Sequence, residues 1–480
     1  MHVGPTNSGK TYNALKRLEA AKTGIYCSPL RLLAHEIYSR MNNNNRPCEL
    51  ITGEDRRTSP FDFNSPDYPT NNMNEKQLPI ISSTIEMANL SKFFEVAVID
   101  EIQMMQDPQR GWAWTTALLG INAAEVHLCG EETTVPLVKK LLEFTGDEIQ
   151  VIKYERLNKL IVSDKSVSKD YTDIKKGDCI ICFSRKEIFN VAAKIEKKTK
   201  FKCAVIYGSL PPENRSLQAD LFNDPNSDYK VLVASDAIGM GLNLRINRVI
   251  FQNVAKFDGT KENNLTISQI KQIGGRAGRY SLTNDEGEVT AFNRDHLSVI
   301  AKSMPTTPEP IKKAGIFFDK NVIERFSYQF PENRISEVIT AFSDCAVYSN
   351  LFFMCNSSGI SLVAEEISKY PLTVKQFLLL LNAPISYRNP VALNIALKFV
   401  DHISQGKECN ISNCIDINAN LSNTKAGLQY SEALHRSVLL YLWLSYHYPT
   451  IFCDIEAVNE YKLKLESAIQ KGLLNHASFV

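Results

Sequence analysis

Eight residues, GPTNSGKT at positions 4–11, constrain the fold more than any other stretch of this chain. A glycine-rich run ending in Gly-Lys-Thr turns its backbone N–H groups around an anion when a buried strand leads in and a helix leads out. HV stands before the run, and TYNALKRLEAAK follows it with apolar residues at helical spacing. Strand, loop and helix in that order form one unit of a parallel sheet covered on both faces.

The next 150 residues keep that alternation. Apolar runs rich in Ile and Val stand at GIYCSP, CELITG, PIISST, EVAVID and EVHLCG, with periodic segments such as LRLLAHEIYSRM between them. One stretch breaks the pattern: DRRTSPFDFNSPDYPTNNMNEKQL, at 55–78, is polar and rich in Pro and Asn and predicts a long exposed loop. Residues 156–176 are polar and Lys-rich and predict a linker. A second alternating series follows at DCIICFS, KCAVIYGS, YKVLVASD, RVIFQN and GEVTAF, without a phosphate loop of its own. From about residue 305 helical periodicity dominates. The run EALHRSVLLYLWLSYHY places Leu434, Val438, Leu442 and Ser445 on one stripe, with Tyr441 and Trp443 nearby. The expectation is an α/β protein: one parallel-sheet domain over 1–155, a second over 156–305, and a mainly helical region over 306–480.

Composition excludes little. The formal charge is +1, from 54 basic and 53 acidic side chains, so any basic surface for a nucleic acid must be local. No apolar run reaches membrane-spanning length. The 11 cysteines lie mostly in apolar runs, which is reduced, intracellular usage rather than a disulfide framework. Cys179 and Cys182 in CIIC have metal spacing, but no second pair follows at zinc distance. They are expected in a buried strand, and Cys409 and Cys414 are likewise not expected to bind metal.

The first site is a Mg²⁺–nucleotide site. Gly4, Pro5, Thr6, Asn7, Ser8, Gly9, Lys10 and Thr11 fit the Walker A pattern. Lys10 is expected to reach the β- and γ-phosphates, and the Thr11 hydroxyl to meet Mg²⁺. In FEVAVIDEIQ an apolar strand ends in Asp100 and Glu101. One carboxylate at a strand tip suits a hard ion, so Asp100 is the second expected Mg²⁺ ligand. That leaves Glu101 to orient or deprotonate an attacking water. The alternatives are a chance Gly/Ser turn and a solvated Asp-Glu pair. In QIGGRAGR, residues 272–279, Arg276 and Arg279 share a helical face on the sheet that lacks a phosphate loop. ATP held between two sheets, one giving the loop and the other arginine fingers, explains that placement; a basic turn at a helix start is the alternative.

These motifs together resemble a superfamily-two helicase with two RecA-like lobes. SPLRLLA, TGE, SSTIEM, LCGEETTV, CFSRK and VASDAIGMGLNL match further helicase motifs in order. HVGPTNSGKTY, DEIQMM, RGWAWTTALLG, YERL and IYGSLPPENR narrow the resemblance to the mitochondrial degradosome ATP-dependent RNA helicases, the Suv-three-like family. It runs from residue 2 to about 300 and resumes at YPLTVKQFLLLLNAPI and LYLWLSYHYP. The resemblance implies 3′-to-5′ unwinding of tailed or structured RNA for an exoribonuclease partner in the mitochondrial matrix. A motor acting on DNA, or a non-catalytic RNA-binding scaffold, is the competing reading. The resemblance also implies that Gly241 and Asn243 contact the nucleotide, although Asn243 stands where related helicases have Asp. Arg31, Thr52, Thr84, Ser184 and Ser235 become backbone contacts to RNA, though Ser and Thr at strand ends equally cap helices. Gln103 and Gln272 would couple nucleotide state to lobe closure. LYLWLSYHYP is either a base-stacking platform or a buried helix, and buried is the expectation. Family members carry a presequence and an extra region before the phosphate loop. The opening MHV is therefore expected to be the end of a strand in a truncated form, with a stunted strand under the loop and lowered stability.

Overall fold

A computed structural model of the chain describes its backbone except at residues 67, 71–75, 240, 258–260, 279–285, 319, 331–332, 356–357, 418–420, 422–423 and 476–480. The side chains of 320 and 358–361 are also outside the description.

The first lobe is built on eight strands: β1 (His2–Val3), β2 (Gly24–Ser28), β3 (Cys48–Ile51), β4 (Arg56–Arg57), β5 (Ile80–Thr84), β6 (Phe94–Ile99), β7 (Ala123–Gly130) and β8 (Ile152–Lys153). Their order is β4-β3-β5-β2-β6-β7-β1-β8. Only β4 is antiparallel to its neighbour. β2 and β5 are buried at every position, as strands covered on both faces must be. β1 lies between β7 and β8, pairing His2 with Cys129 and with Ile152. Two apolar clusters, one around Trp114 and Ile99 and one around Tyr26 and Leu18, cover the two faces. The predicted 55–78 loop is partly pinned down: β4 pairs back onto β3, and Tyr68 is buried with its hydroxyl on the Gln77 carbonyl at 2.7 Å.

The second lobe contains β9 (Leu160–Val162), β10 (Asp178–Ile181), β11 (Lys202–Ile206), β12 (Tyr229–Ala234), β13 (Arg248–Phe251), the hairpin β14 (Ala255–Phe257) and β15 (Glu262–Asn264), and β16 (Gly287–Ala291). The sheet order is β11-β12-β10-β13-β16-β9, all parallel. The expected linker at 156–176 is corrected here. Residues 160–162 are the edge strand beside β16, and Val167, Tyr171 and Ile174 are buried in this lobe's core. Lys and Asp dominate the composition there, but only every few residues is an apolar anchor needed to tie such a segment down.

The region after 305 also departs from a simple helical appendage. β17 (Ala314–Ile316) and β18 (Phe352–Met354) pair parallel, and Ile311 and Ala314 belong to the first lobe's core. The helices between Lys320 and Leu474 then pack around their own core, centred on Phe399, Tyr441 and Phe452. Helix Lys425–His447 buries the predicted stripe Leu434, Val438, Leu442 and Ser445. Its neighbour Ile455–Leu474 lays Ile469 and Leu473 on the second lobe. None of the described helices is long and apolar enough to cross a membrane.

Candidate nucleotide site between the lobes

The phosphate loop leaves β1 and enters helix Lys10–Ala20 through two left-handed residues, Asn7 at φ 62° and Gly9 at φ 78°. That twist turns successive N–H groups to one side and makes an anion cradle. The Ser8 hydroxyl is buried inside the loop without a hydrogen-bond partner among the described residues, and Lys10 Nζ folds back onto the Pro5 carbonyl at 3.1 Å. An orphaned hydroxyl and a lysine ammonium at an inward-facing loop fit a phosphate group.

The carboxylates stand at the tip of the central strand β6. Trp114, fully buried, donates its indole N–H to the Asp100 carbonyl at 2.9 Å and fixes that tip. Asp100 is 4% exposed, and its two oxygens are held apart by different donors: Thr11 Oγ1 at 3.1 Å on Oδ1 and the Tyr26 hydroxyl at 2.9 Å on Oδ2. Burial, then the neighbouring Glu101 charge, raises the Asp100 pKa to about 6. A carboxylate and a threonine hydroxyl in contact inside a desolvated pocket suit a small hard cation, so Thr11 and Asp100 fit Mg²⁺.

Glu101 takes a left-handed backbone, φ 52°, which a non-glycine residue adopts at a cost. Its carboxylate accepts from Gln103 Nε2 at 2.5 Å. Gln103 in turn accepts from the Glu131 backbone N–H at 3.2 Å. The Glu131 carboxylate accepts from the Ser268 hydroxyl of the second lobe at 2.7 and 2.8 Å. Burial raises the Glu131 pKa. A continuous hydrogen-bonded line therefore runs from the Glu101 carboxylate to the second lobe. Gln103 stood in the sequence reading; Glu131 and Ser268 did not, because their partnership exists only once two separate sheets face each other. Gln272 lines a cavity of about 690 Å³ together with Gln103, Glu131 and Ser268, and none of its lining residues comes from the phosphate loop.

The QIGGRAGR segment meets the phosphate loop through its backbone. Asn7 Nδ2 donates to the Gly278 carbonyl at 3.0 Å. Gly275 approaches so closely that a Cβ there would lie 1.9 Å from Thr6 Oγ1. The Arg276 guanidinium donates to the Gly239 carbonyl within its own lobe. Arg279 lies outside the described residues.

One further residue joins the two halves. Arg156, in YERL between the lobes, donates to the Thr6 carbonyl at 3.1 Å, the Gly275 carbonyl at 2.8 Å and the Ala277 carbonyl at 2.5 Å. Desolvation lowers its pKa to about 10, which leaves it charged at neutral pH. The YERL string was visible in the sequence, but nothing in it showed that the guanidinium spans the loop and the arginine helix.

The remaining expected contacts lie elsewhere. Gly241, at φ 77°, seats against Leu30 and Leu33, and with Asn243 it lines a cavity of about 270 Å³ beside helix Arg31–Asn43. None of the residues lining that cavity comes from the phosphate loop. Thr52 is fully buried, its hydroxyl bonded to the Asp55 backbone on both the N–H and C=O sides. Ser184 caps helix Arg185–Lys198 by accepting from the Glu187 N–H at 3.1 Å, and Ser235 accepts from the Ala237 N–H at 3.1 Å. Thr84 is 6% exposed at the start of a short 3₁₀ turn, without a side-chain cap bond. Arg31 pairs with the nearly buried Glu54. The 52–54 turn carrying these groups touches the C-terminal region, since a Cβ on Gly53 would lie 3.1 Å from Trp443 Cδ1. Beside it, Arg56 stacks over the Tyr446 ring at 4.5 Å.

Three family models match along the chain. The DEXQ-box helicase domain of Suv3 covers residues 1–154, a helicase conserved C-terminal domain covers 153–281, and the ATP-dependent RNA helicase SUV3 C-terminal domain covers 428–475. The chain is 42% identical over 482 residues to a Danio rerio protein named ATP-dependent RNA helicase SUPV3L1, mitochondrial, covering 99% of this chain and 61% of that one. The Homo sapiens protein of the same name is 40% identical, with 60% of its length covered. ATP-dependent RNA helicase SUV3, mitochondrial, of Candida albicans is 41% identical over 502 residues, covering 99% of this chain and 67% of the relative. The chain thus spans about three fifths of the length of the two animal relatives.

Proposed function

This chain belongs to the SUV3 family of ATP-dependent RNA helicases, and on that premise we propose that it is an ATP-driven RNA translocase whose hydrolytic site is split between two lobes. The observation that carries the reading is the meeting of phosphate loop and QIGGRAGR backbone across the cleft, bridged by Arg156 and Asn7. A nucleotide in that place contacts both lobes at once, so its binding and loss move one against the other.

The loop N–H groups and Lys10 hold the phosphates. Thr11 and Asp100 would hold Mg²⁺, which when bound would supply charge neutralisation at the transferred phosphoryl group. Glu101 orients the attacking water and accepts its proton. Arg276 and Arg279 then neutralise charge developing in the transition state, for which Arg276 must leave the Gly239 carbonyl as the cleft tightens. The line Glu101–Gln103–Glu131–Ser268 reports the state of the water-side carboxylate to the second lobe, and Gln272 lies along the same cleft.

RNA then lies across the far ends of the sheets, gripped by its backbone so that sequence is ignored. Arg31 and the strand-end residues Thr52, Thr84, Ser184 and Ser235 frame that path, and helix Lys425–His447 closes over it at Gly53. We read movement as 3′-to-5′, delivering unwound RNA to a 3′-to-5′ exoribonuclease, and we place it in mitochondria because the relatives are named as mitochondrial. Breaking each base-pair step costs about 1.4 kcal/mol, a cost that one ATP cycle can cover. The test is a pair of tailed RNA duplexes with ATP and Mg²⁺. Unwinding of the 3′-tailed duplex, absent for the 5′-tailed one and for Lys10→Ala, supports the proposal. Equal unwinding of both, or none, refutes it.

A further inference from the structure

The C-terminal helical region brings together three side chains from one 13-residue stretch, 402–414. His402 sits near the end of helix Pro390–Gln405, Cys409 lies in the following loop, and Cys414 closes the short helix Ile411–Cys414. Their ligand atoms all lie within 4.8 Å of one another, and the two sulfurs are 3.6 Å apart. Both cysteines are nearly buried, at 0% and 5% exposed. His402 Nδ1 is itself buried and takes no hydrogen bond among the described residues.

We infer that His402, Cys409 and Cys414 form a structural metal site for a thiophilic divalent cation of the zinc class, which clips the 406–414 loop onto the helical core. Two thiolates bound to zinc at about 2.3 Å in tetrahedral geometry lie about 3.8 Å apart, close to the spacing present. A buried imidazole nitrogen without a partner is otherwise costly; a metal satisfies it. Two thiolates and a neutral imidazole select zinc over magnesium or calcium, whose preference is oxygen. No fourth ligand comes from this cluster, so water completes the tetrahedron. The frame is already rigid. The Cys409 N–H donates to the Ile451 carbonyl at 2.8 Å, and its carbonyl accepts from the Tyr441 hydroxyl at 2.6 Å. Tyr441 lies on the same helix that carries Trp443 to Gly53.

A second cluster with metal-like spacing shows the contrast. Glu213, His435 and Glu466 also converge within 4.8 Å, but Lys462 Nζ already stands 3.0 Å from Glu213 and 3.3 Å from Glu466. Its cation is supplied by the chain itself. At the Cys–Cys–His cluster the Lys398 ammonium donates to the Cys414 backbone carbonyl at 3.1 Å rather than to a ligand atom.

The test uses the whole chain, reduced and stripped with chelator, then titrated with Co²⁺ as a coloured stand-in for Zn²⁺. The expected result is a sulfur-to-cobalt charge-transfer band saturating at one ion per chain and bleached by Zn²⁺. Cys409→Ser and Cys414→Ser should each lose the band while keeping the far-ultraviolet dichroism of the parent. Cys453→Ser, which removes a neighbouring exposed thiol, should keep it. Zn²⁺ should also raise the melting temperature of the parent and not of the two variants. No band in the parent overturns the inference, as does a band that survives Cys409→Ser and Cys414→Ser. Ready oxidation of the pair to a disulfide with no cobalt band would also overturn it, and would assign the pair to redox chemistry.

Discussion

Removing the Arg156 guanidinium should loosen the closed arrangement of the lobes without touching any group that reacts. In the structure Arg156 makes two bonds to the second lobe, at Gly275 and Ala277, and two to the phosphate loop, at the Thr6 carbonyl and hydroxyl. A hydrogen bond from a charged donor contributes about 1.5–3 kcal/mol. Taking the lower figure, the two bonds to the second lobe bias closure by about 3 kcal/mol. Water entering the gap in Arg156→Ala returns roughly half of that, leaving about a tenfold shift toward the open state. The assay is lobe-to-lobe fluorescence transfer with one dye on each lobe, titrated with a non-hydrolysable ATP analogue, alongside ATPase KM. Arg156→Ala should need roughly tenfold more nucleotide to close. Arg156→Lys should fall between, because an ammonium cannot span carbonyls of both lobes as the planar fork does. Closure curves and KM within twofold of the parent for Arg156→Ala would refute the bridging role.

Gly275→Ala should block docking of the lobes, since its methyl would overlap Thr6 Oγ1, and ATPase should fall roughly tenfold or more; the melting temperature should fall as well, because the methyl would lie 2.7 Å from the Lys271 carbonyl in its own lobe. Lys10→Ala should abolish RNA-stimulated ATPase while RNA binding in a filter assay persists. Glu432→Ala should destabilise the fold by about 3 kcal/mol in denaturant melts, because it strands Arg185, 3.0 Å away, and leaves the Tyr207 hydroxyl without its 2.6 Å acceptor. For pH, burial and then His127 lower the His2 pKa from 6.5 to about 4. The native state therefore resists protonation. His2 costs nothing above pH 6.5 and destabilises the fold increasingly as pH falls toward 4, so His2→Gln should flatten the acid side of a melting-temperature profile.

Much of this protein was legible in its sequence because the relevant signals are local. A phosphate loop needs only eight consecutive residues, and a strand covered on both faces announces itself as an apolar run, as in VAVI of β6 and VLVA of β12. Two sheets, their carboxylate tip and the buried stripe of helix Lys425–His447 follow from such runs. What only the tertiary structure decided involves partners far apart in the chain. Whether 160–162 is linker or edge strand depends on the open side of β16, which no local propensity records. The return of 311–316 to the first lobe depends on an apolar face left uncovered there. Arg156 and the Glu131–Ser268 bond mean nothing until two separate sheets face each other. Sequence determines which surfaces want burial and which groups can react. Only packing decides which of those surfaces meet, because that choice is settled by shape and desolvation summed over the whole molecule.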